Sequence, residues 1–142
     1  MIDTLCRLLD AGVTQFHVVK ECEAMLQDHG YMELDMGERW ELTAGGRYYV
    51  KPYSSMMVAF AAGEMPEYGR LNIGLAHTDF PMLKIKTRPY MNRSGYQTLN
   101  VEPYGGLIKE TWFDRPLGIA GKVMAQTTDP FRPKTYLYDS ER

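Results

Sequence analysis

The sequence predicts an α/β fold that gives way to β structure alone in its second half. Apolar residues recur at helical spacing within the first 30 residues, and two near-continuous apolar runs come next, at 55–62 and 71–76. Nothing from Lys84 to the end keeps a helical period. Helices laid on strands that are apolar on both faces make an α/β layer.

Residues 3–11 read as a short helix with Asp3 or Thr4 as N-cap and Gly12 just past its end. A longer helix is expected over 15–29, capped by Thr14 and ended by Gly30. Its stripe of Phe16, Val19, Cys22, Met25 and Leu26 is a core face. His17 lies off that stripe and reads as solvated or capping. His29, at the helix C-terminus, is explained by the helix dipole. Trp40-Glu41-Leu42-Thr43 and Arg47-Tyr48-Tyr49-Val50 flank Ala44-Gly45-Gly46 as a hairpin. Residues 55–62 form an apolar strand ending at Gly63, and a mobile loop is expected at 64–69.

The stretch that bears chemistry comes next. Leu71-Asn72-Ile73-Gly74-Leu75-Ala76 reads as a buried strand delivering His77-Thr78-Asp79 at its C-terminal end, before Phe80-Pro81 stops pairing. On a strand, residues two apart point the same way, so His77 and Asp79 share a side. Strand C-termini in open α/β sheets are where ligands and metals collect. A neutral imidazole binds zinc through one nitrogen while a carboxylate takes the proton on the other. His77 as ligand with Asp79 beside it fits that division; a hydrogen-bonded histidine at a strand end is the alternative.

After Pro81 the pattern changes. Met82-Leu83-Lys84-Ile85-Lys86 alternates like a half-buried strand, and residues 95–102, 111–113 and 117–125 are further strand candidates. Asn92-Arg93-Ser94-Gly95 and Pro103-Tyr104-Gly105-Gly106 separate them as turns. The expected division is therefore residues 1–82 as the α/β part and 83–142 as the β-rich part. Thr135-Tyr136-Leu137-Tyr138 reads as a strand just starting, so the chain looks like the front of a longer protein.

Composition narrows the function. Hydrophobic residues are 44% and charged residues 24% of the 142 positions, a globular balance sufficient for one domain with a core. A net charge of −2 and a pI near 5.9 argue against nucleic acid or an anionic membrane as partner, because both select a basic face. No apolar run reaches spanning length, and Met1-Ile2-Asp3-Thr4 does not open a signal peptide. Cys6 and Cys22 make no metal-knuckle spacing. They can pair in principle, but two thiols fit a reducing compartment, and the expected location is cytoplasmic.

Other motifs carry less. Pro103-Tyr104-Gly105-Gly106 lacks the lysine and the helix of a phosphate loop. Asp114 and Arg115 either position substrate or form a structural or interface pair. No serine sits in a Gly-x-Ser-x-Gly elbow. The imidazoles are His17, His29 and His77. A catalytic zinc site needs three protein ligands, so the others are either unplaced carboxylates or lie beyond Arg142, the second being favoured.

Several strings together resemble the aspartyl aminopeptidase family of dinuclear zinc metallopeptidases. They are Phe16-His17-Val18-Val19, the Trp40 to Tyr48 hairpin, Ala76-His77-Thr78-Asp79-x-Pro81 and Leu83-Lys84-Ile85-Lys86. The densest are Val101-Glu102-Pro103-Tyr104-Gly105-Gly106 and Thr111-Trp112-Phe113-Asp114-Arg115-x-Leu117, continuing to Ala120-Gly121-Lys122-Val123. The resemblance implies the N-terminal part of a zinc-peptidase-like α/β catalytic domain, interrupted by a β-rich domain that builds subunit contacts. It implies His77 as a zinc ligand, Asp79 orienting that ligand, and Zn2+ as cofactor, two ions per complete active site. It implies peptide substrates with an acidic N-terminal residue, cleaved by metal-activated water, in a homo-oligomer. This chain alone is then expected to be inactive. Phe80 stands where the family commonly has Ser, Pro116 where Asp is usual, and Gly12-Val13-Thr14-Gln15 replaces Ser-Pro-x-Pro. A non-catalytic oligomerisation or interaction module is the rival reading.

Overall fold

A computed structural model describes residues 2–64 and 71–140. Positions 65–69 of the loop expected to be mobile lie outside the described residues. Helix α1 (Ile2–Ala11) and helix α2 (Gln15–Asp28) stand where the sequence puts them. They meet across Gly12, where an added Cβ would lie 2.6 Å from the Leu8 carbonyl oxygen and 2.9 Å from Val18 Cγ2. Thr14 caps α2 in an extended conformation: its hydroxyl accepts from the His17 N–H at 3.5 Å and shares a 2.7 Å hydrogen bond with His17 Nδ1. His17 is thus bonded to the cap, and Thr14 is the capping residue. At the other end, His29 Nδ1–H donates to the Met25 carbonyl at 2.7 Å, satisfying one orphan acceptor of the last turn.

Three strands form the sheet behind α2, in the order β1 (Met32–Glu33), β2 (Arg47–Tyr53) and β3 (Met56–Ala61). β1 runs parallel to β2, and β2 and β3 form a hairpin closed by a two-residue turn between Tyr53 and Met56. Among the described residues, Val19, Tyr48, Tyr49 and Val50 are the buried apolar ones, each worth about 1.5–3 kcal/mol if fully buried. Successive tyrosines face opposite ways, as strand geometry requires. Tyr49 points at α2, accepting from Gln27 Nε2 at 2.8 Å and donating to Glu23 Oε1 at 3.1 Å. Lys51 joins the same network, bonded to Glu23 and, at 3.1 Å, to Glu33. Tyr48 lies 5.7 Å from the Phe60 ring, and Phe60 lies 6.1 Å from Trp40.

Trp40-Glu41-Leu42-Thr43 is therefore not the strand the sequence suggests. β2 pairs with β3 instead, while this segment covers the sheet's second face, with the Thr43 N–H donating to Tyr48 Oη at 2.9 Å. β6 (Ala120–Ala125) and β7 (Lys134–Asp139) form a separate antiparallel hairpin. Lys122 of β6 places its ammonium 4.6 Å from the Phe16 ring centre and donates to Ser54 Oγ at 2.9 Å. By contacts, Met1–Thr78 and Ile119–Glu141 form one unit and Asp79–Gly118 another.

The second unit is built on the hairpin of β4 (Met82–Arg93) and β5 (Tyr96–Tyr104). Ser94 and Gly95 both take positive φ, 52° and 83°, as a two-residue turn of this hand requires. The register shifts between Ile85 and Tyr90, around Pro89, which has no N–H to give the ladder. Lys109–Trp112 is a 3-10 helix, so Thr111-Trp112-Phe113 is not a strand. Thr111 donates its hydroxyl back to the Ile108 carbonyl at 2.7 Å, a local bond that competes with extension. Asp114 then takes φ 54°, a left-handed position that Asp tolerates.

Candidate metal site

The His-Thr-Asp segment straddles the boundary of the two units, which falls between Thr78 and Asp79. On the first side, residues 71–77 carry no regular secondary structure. Leu71, Ile73 and Leu75 are 85%, 76% and 94% exposed. The buried strand expected here is thus corrected: apolar character favours a strand only where a neighbour supplies ladder bonds, and none of the described strands pairs with this stretch. His77 is exposed, and Thr78 is half-buried. Thr78 Oγ1 donates to the Ser55 carbonyl at 2.8 Å, tying the residue after His77 to the β2–β3 turn.

On the second side, Asp79 is half-buried. Tyr104, the last residue of β5, donates its phenol to Asp79 Oδ2 at 2.5 Å. That hydrogen bond, and then the negative charge of Asp79, push the Tyr104 phenol above its ordinary value. The placement comes from the hairpin: Tyr104 pairs with Met82, three residues beyond Asp79, and Gly105 lies against Pro81. Sequence reasoning places Tyr104 in a turn and misses this contact. The signal that could find it is the strand register, which brings the end of one half-hairpin back to the start of the other.

The remaining candidates fall elsewhere. His17 and His29 are engaged at the two ends of α2. Asp114 and Arg115 are exposed after the 3-10 helix, and Lys84 and Lys86 are exposed on β4, a solvated face. Cys6 is exposed and Cys22 half-buried, both as thiols. Burial, and then the charge of Glu21, push the Cys22 thiol up, away from the thiolate form that binds metal. Zinc in a catalytic site takes three protein ligands from His, Cys, Asp and Glu. Among the described residues no such group of three comes together, so they do not by themselves hold a complete zinc site. Nor, among them, is any helix long and apolar enough to cross a membrane.

Comparison with known proteins gives this geometry a setting. The family described as aminopeptidase I zinc metalloprotease (M18) matches residues 8–138. A probable M18 family aminopeptidase 2 of Stutzerimonas stutzeri is 44% identical over 117 residues, covering 81% of this chain and 27% of that protein. An aspartyl aminopeptidase of Aspergillus oryzae is 40% identical over 124 residues, covering 85% of this chain and 25% of its own. Among solved structures, the cryo-EM structure of the Ape4 and Nbr1 complex aligns over 99% of this chain and 27% of that one, with a TM-score of 0.85 at 31% identity. The mApe1 dodecamer of S. cerevesiae aligns over 94% and 32%, with a TM-score of 0.75 at 25% identity. The chain thus spans about a quarter to a third of the length of these proteins. With residues 8–138 matched and the α/β arrangement shared, the chain belongs to the M18 family of zinc aminopeptidases.

Proposed function

We propose that this chain is the N-terminal part of a zinc-dependent aminopeptidase that removes acidic residues from the N-termini of peptides. The observation that carries the reading is the family match, which spans the His77-Thr78-Asp79 segment and both flanking units. Residues 1–82 would supply the front of the catalytic domain, and 83–142 the start of a β-rich domain for subunit contacts. His77 would be a ligand of one of two zinc ions, and Asp79 would hold the imidazole by its second nitrogen. What zinc supplies in such a site is polarisation of the scissile carbonyl and an activated water. Acidic preference is supported by the name of the Aspergillus relative, and homo-oligomeric assembly by the dodecamer of S. cerevesiae mApe1. The acidic pI and the compartment read from the two thiols support a cytoplasmic protein without nucleic-acid or membrane partners.

The test is hydrolysis of peptides differing only in their N-terminal residue by the protein isolated from its source, beside the 142-residue chain. The source protein should cleave Asp- and Glu-initiated peptides at least about tenfold faster than Leu- or Lys-initiated ones, a difference of about 1.4 kcal/mol in the barrier. The 142-residue chain with added zinc should not turn over. Clear turnover by that chain, or cleavage by the source protein indifferent to the first residue, would contradict the reading.

A further inference from the structure

The chain leaves its first unit after Thr78 and re-enters it at Ile119. Both crossings are tied to one short turn, Ser54-Ser55, which lies between the paired residues Tyr53 of β2 and Met56 of β3. At the departure, Thr78 Oγ1 donates to the Ser55 carbonyl at 2.8 Å. Threonine is stiff at χ1, so a bond from its hydroxyl also restrains its backbone. At the return, the Ile119 N–H donates to Ser140 Oγ at 2.7 Å and the Ser140 N–H donates to the Ile119 carbonyl at 2.8 Å. Those two bonds close the end of the β6–β7 hairpin. Farther along β6, the Lys122 ammonium donates to Ser54 Oγ at 2.9 Å. A lysine stem is flexible, but this one is held twice at its head, which also lies 4.6 Å from the Phe16 ring centre on α2. Ser54 and Ser55 are neighbours in the chain, with α-carbons about 3.8 Å apart. The two ties therefore land on a single peptide unit, and Thr78, Lys122 and both serines belong to the same unit of the fold.

We propose that the Ser54-Ser55 turn is a clasp that gathers both crossings of the chain, so that releasing one loosens the other. The β2–β3 ladder shifts register between Val50 and Tyr53, where Pro52 has no N–H to give, and this partly releases the turn from the regular pairing. Each tie then orders the turn for its neighbour. The entropy of fixing the turn is lost once, and the second bond forms at less cost. In this way the first unit itself sets how far apart Thr78 and Ile119 are held. The clasp is independent of any metal or substrate.

The test is a double-mutant cycle on the 142-residue chain. Thr78→Val removes the hydroxyl of the first tie, and Lys122→Met removes the ammonium of the second while keeping an apolar stem. Lys86→Met, at an exposed position of β4, is the control. Backbone 15N relaxation reads the order of each crossing, and urea unfolding reads the cycle. Lys122→Met should lower the order parameter at Thr78, which it does not touch, from about 0.85 to below about 0.6. Thr78→Val should do the same at Ile119. Each single change should raise the unfolding constant about fivefold, as loss of one hydrogen bond does. The double variant should raise it less than about tenfold, where independent sites would multiply to about 25-fold. Lys86→Met should alter neither crossing. Ser54→Ala removes the Lys122 bond at an exposed turn without touching the hairpin, and it should loosen Thr78 as Lys122→Met does, which keeps the test valid if Lys122→Met folds poorly. Order lost only at the substituted crossing, unfolding effects that multiply, or no loss of order at either crossing would each overturn the clasp.

Discussion

Two apolar stretches of this chain have opposite fates. Tyr48, Tyr49 and Val50 are 2%, 0% and 5% exposed, while Leu71, Ile73 and Leu75 are 85%, 76% and 94% exposed. Residue type does not separate them, since both stretches read as strands. Partners do. The first has β1 and β3 beside it, α2 on one face and the Trp40 segment on the other. The second adjoins none of the described strands. A strand is an agreement between two segments, and apolar pattern states only one side of it.

The contrast can be broken most sharply by truncation. Tyr49→Ala should lower unfolding free energy by about 3–5 kcal/mol, through lost burial and the loss of its hydrogen bonds to Gln27 and Glu23. Leu75→Ala should cost under about 0.5 kcal/mol, as for an exposed surface site. Urea unfolding of the two variants in the 142-residue chain measures both, and equal costs would remove the distinction.

The difference also explains what is legible in the sequence. Local signals are sound: Thr14 caps α2, Gly30 lies just past its end, and Ser94-Gly95 closes a hairpin, because each depends on neighbours within a few residues. Signals that need a distant partner are not. The 71–76 run reads as a paired strand and pairs with none of the described strands, Trp40 to Thr43 reads as a β strand and is a cover, and Thr111 to Phe113 reads as extended and enters a 3-10 turn. At the candidate site, residue type alone singles out His77 and Asp79. It cannot supply Tyr104, because a contact across 25 positions exists only once the β4–β5 register is known.

A smaller effect sharpens the local half of the comparison. Thr14→Ala should cost about 1 kcal/mol, since the N-cap bond to His17 is lost at a site that is 6% exposed. Thermal unfolding monitored by helical circular dichroism would register it; no change would mean that packing alone sets the start of α2.

The smallest effect lies at high pH. Burial alone would lower the Lys51 ammonium, but the hydrogen bonds and charges of Glu23 and Glu33 outweigh it and hold it above its ordinary 10.5. A group raised on folding stabilises fully below its unfolded value and loses that contribution as pH rises through the folded one. The Glu23–Lys51–Glu33 network should therefore weaken only above about pH 10.5, and Lys51→Met should flatten that alkaline limb in pH-dependent unfolding. A limb of unchanged slope would place the alkaline loss on other groups.

The most direct test of the central claim, that His77 is a zinc ligand of a peptidase, is the zinc content of the protein isolated from its source, with and without His77→Ala. The account predicts about two zinc ions per chain in the unsubstituted protein, as two-metal hydrolases hold. It predicts loss of at least one ion, together with peptide hydrolysis, in His77→Ala. Retention of both metal and turnover by that variant would contradict it.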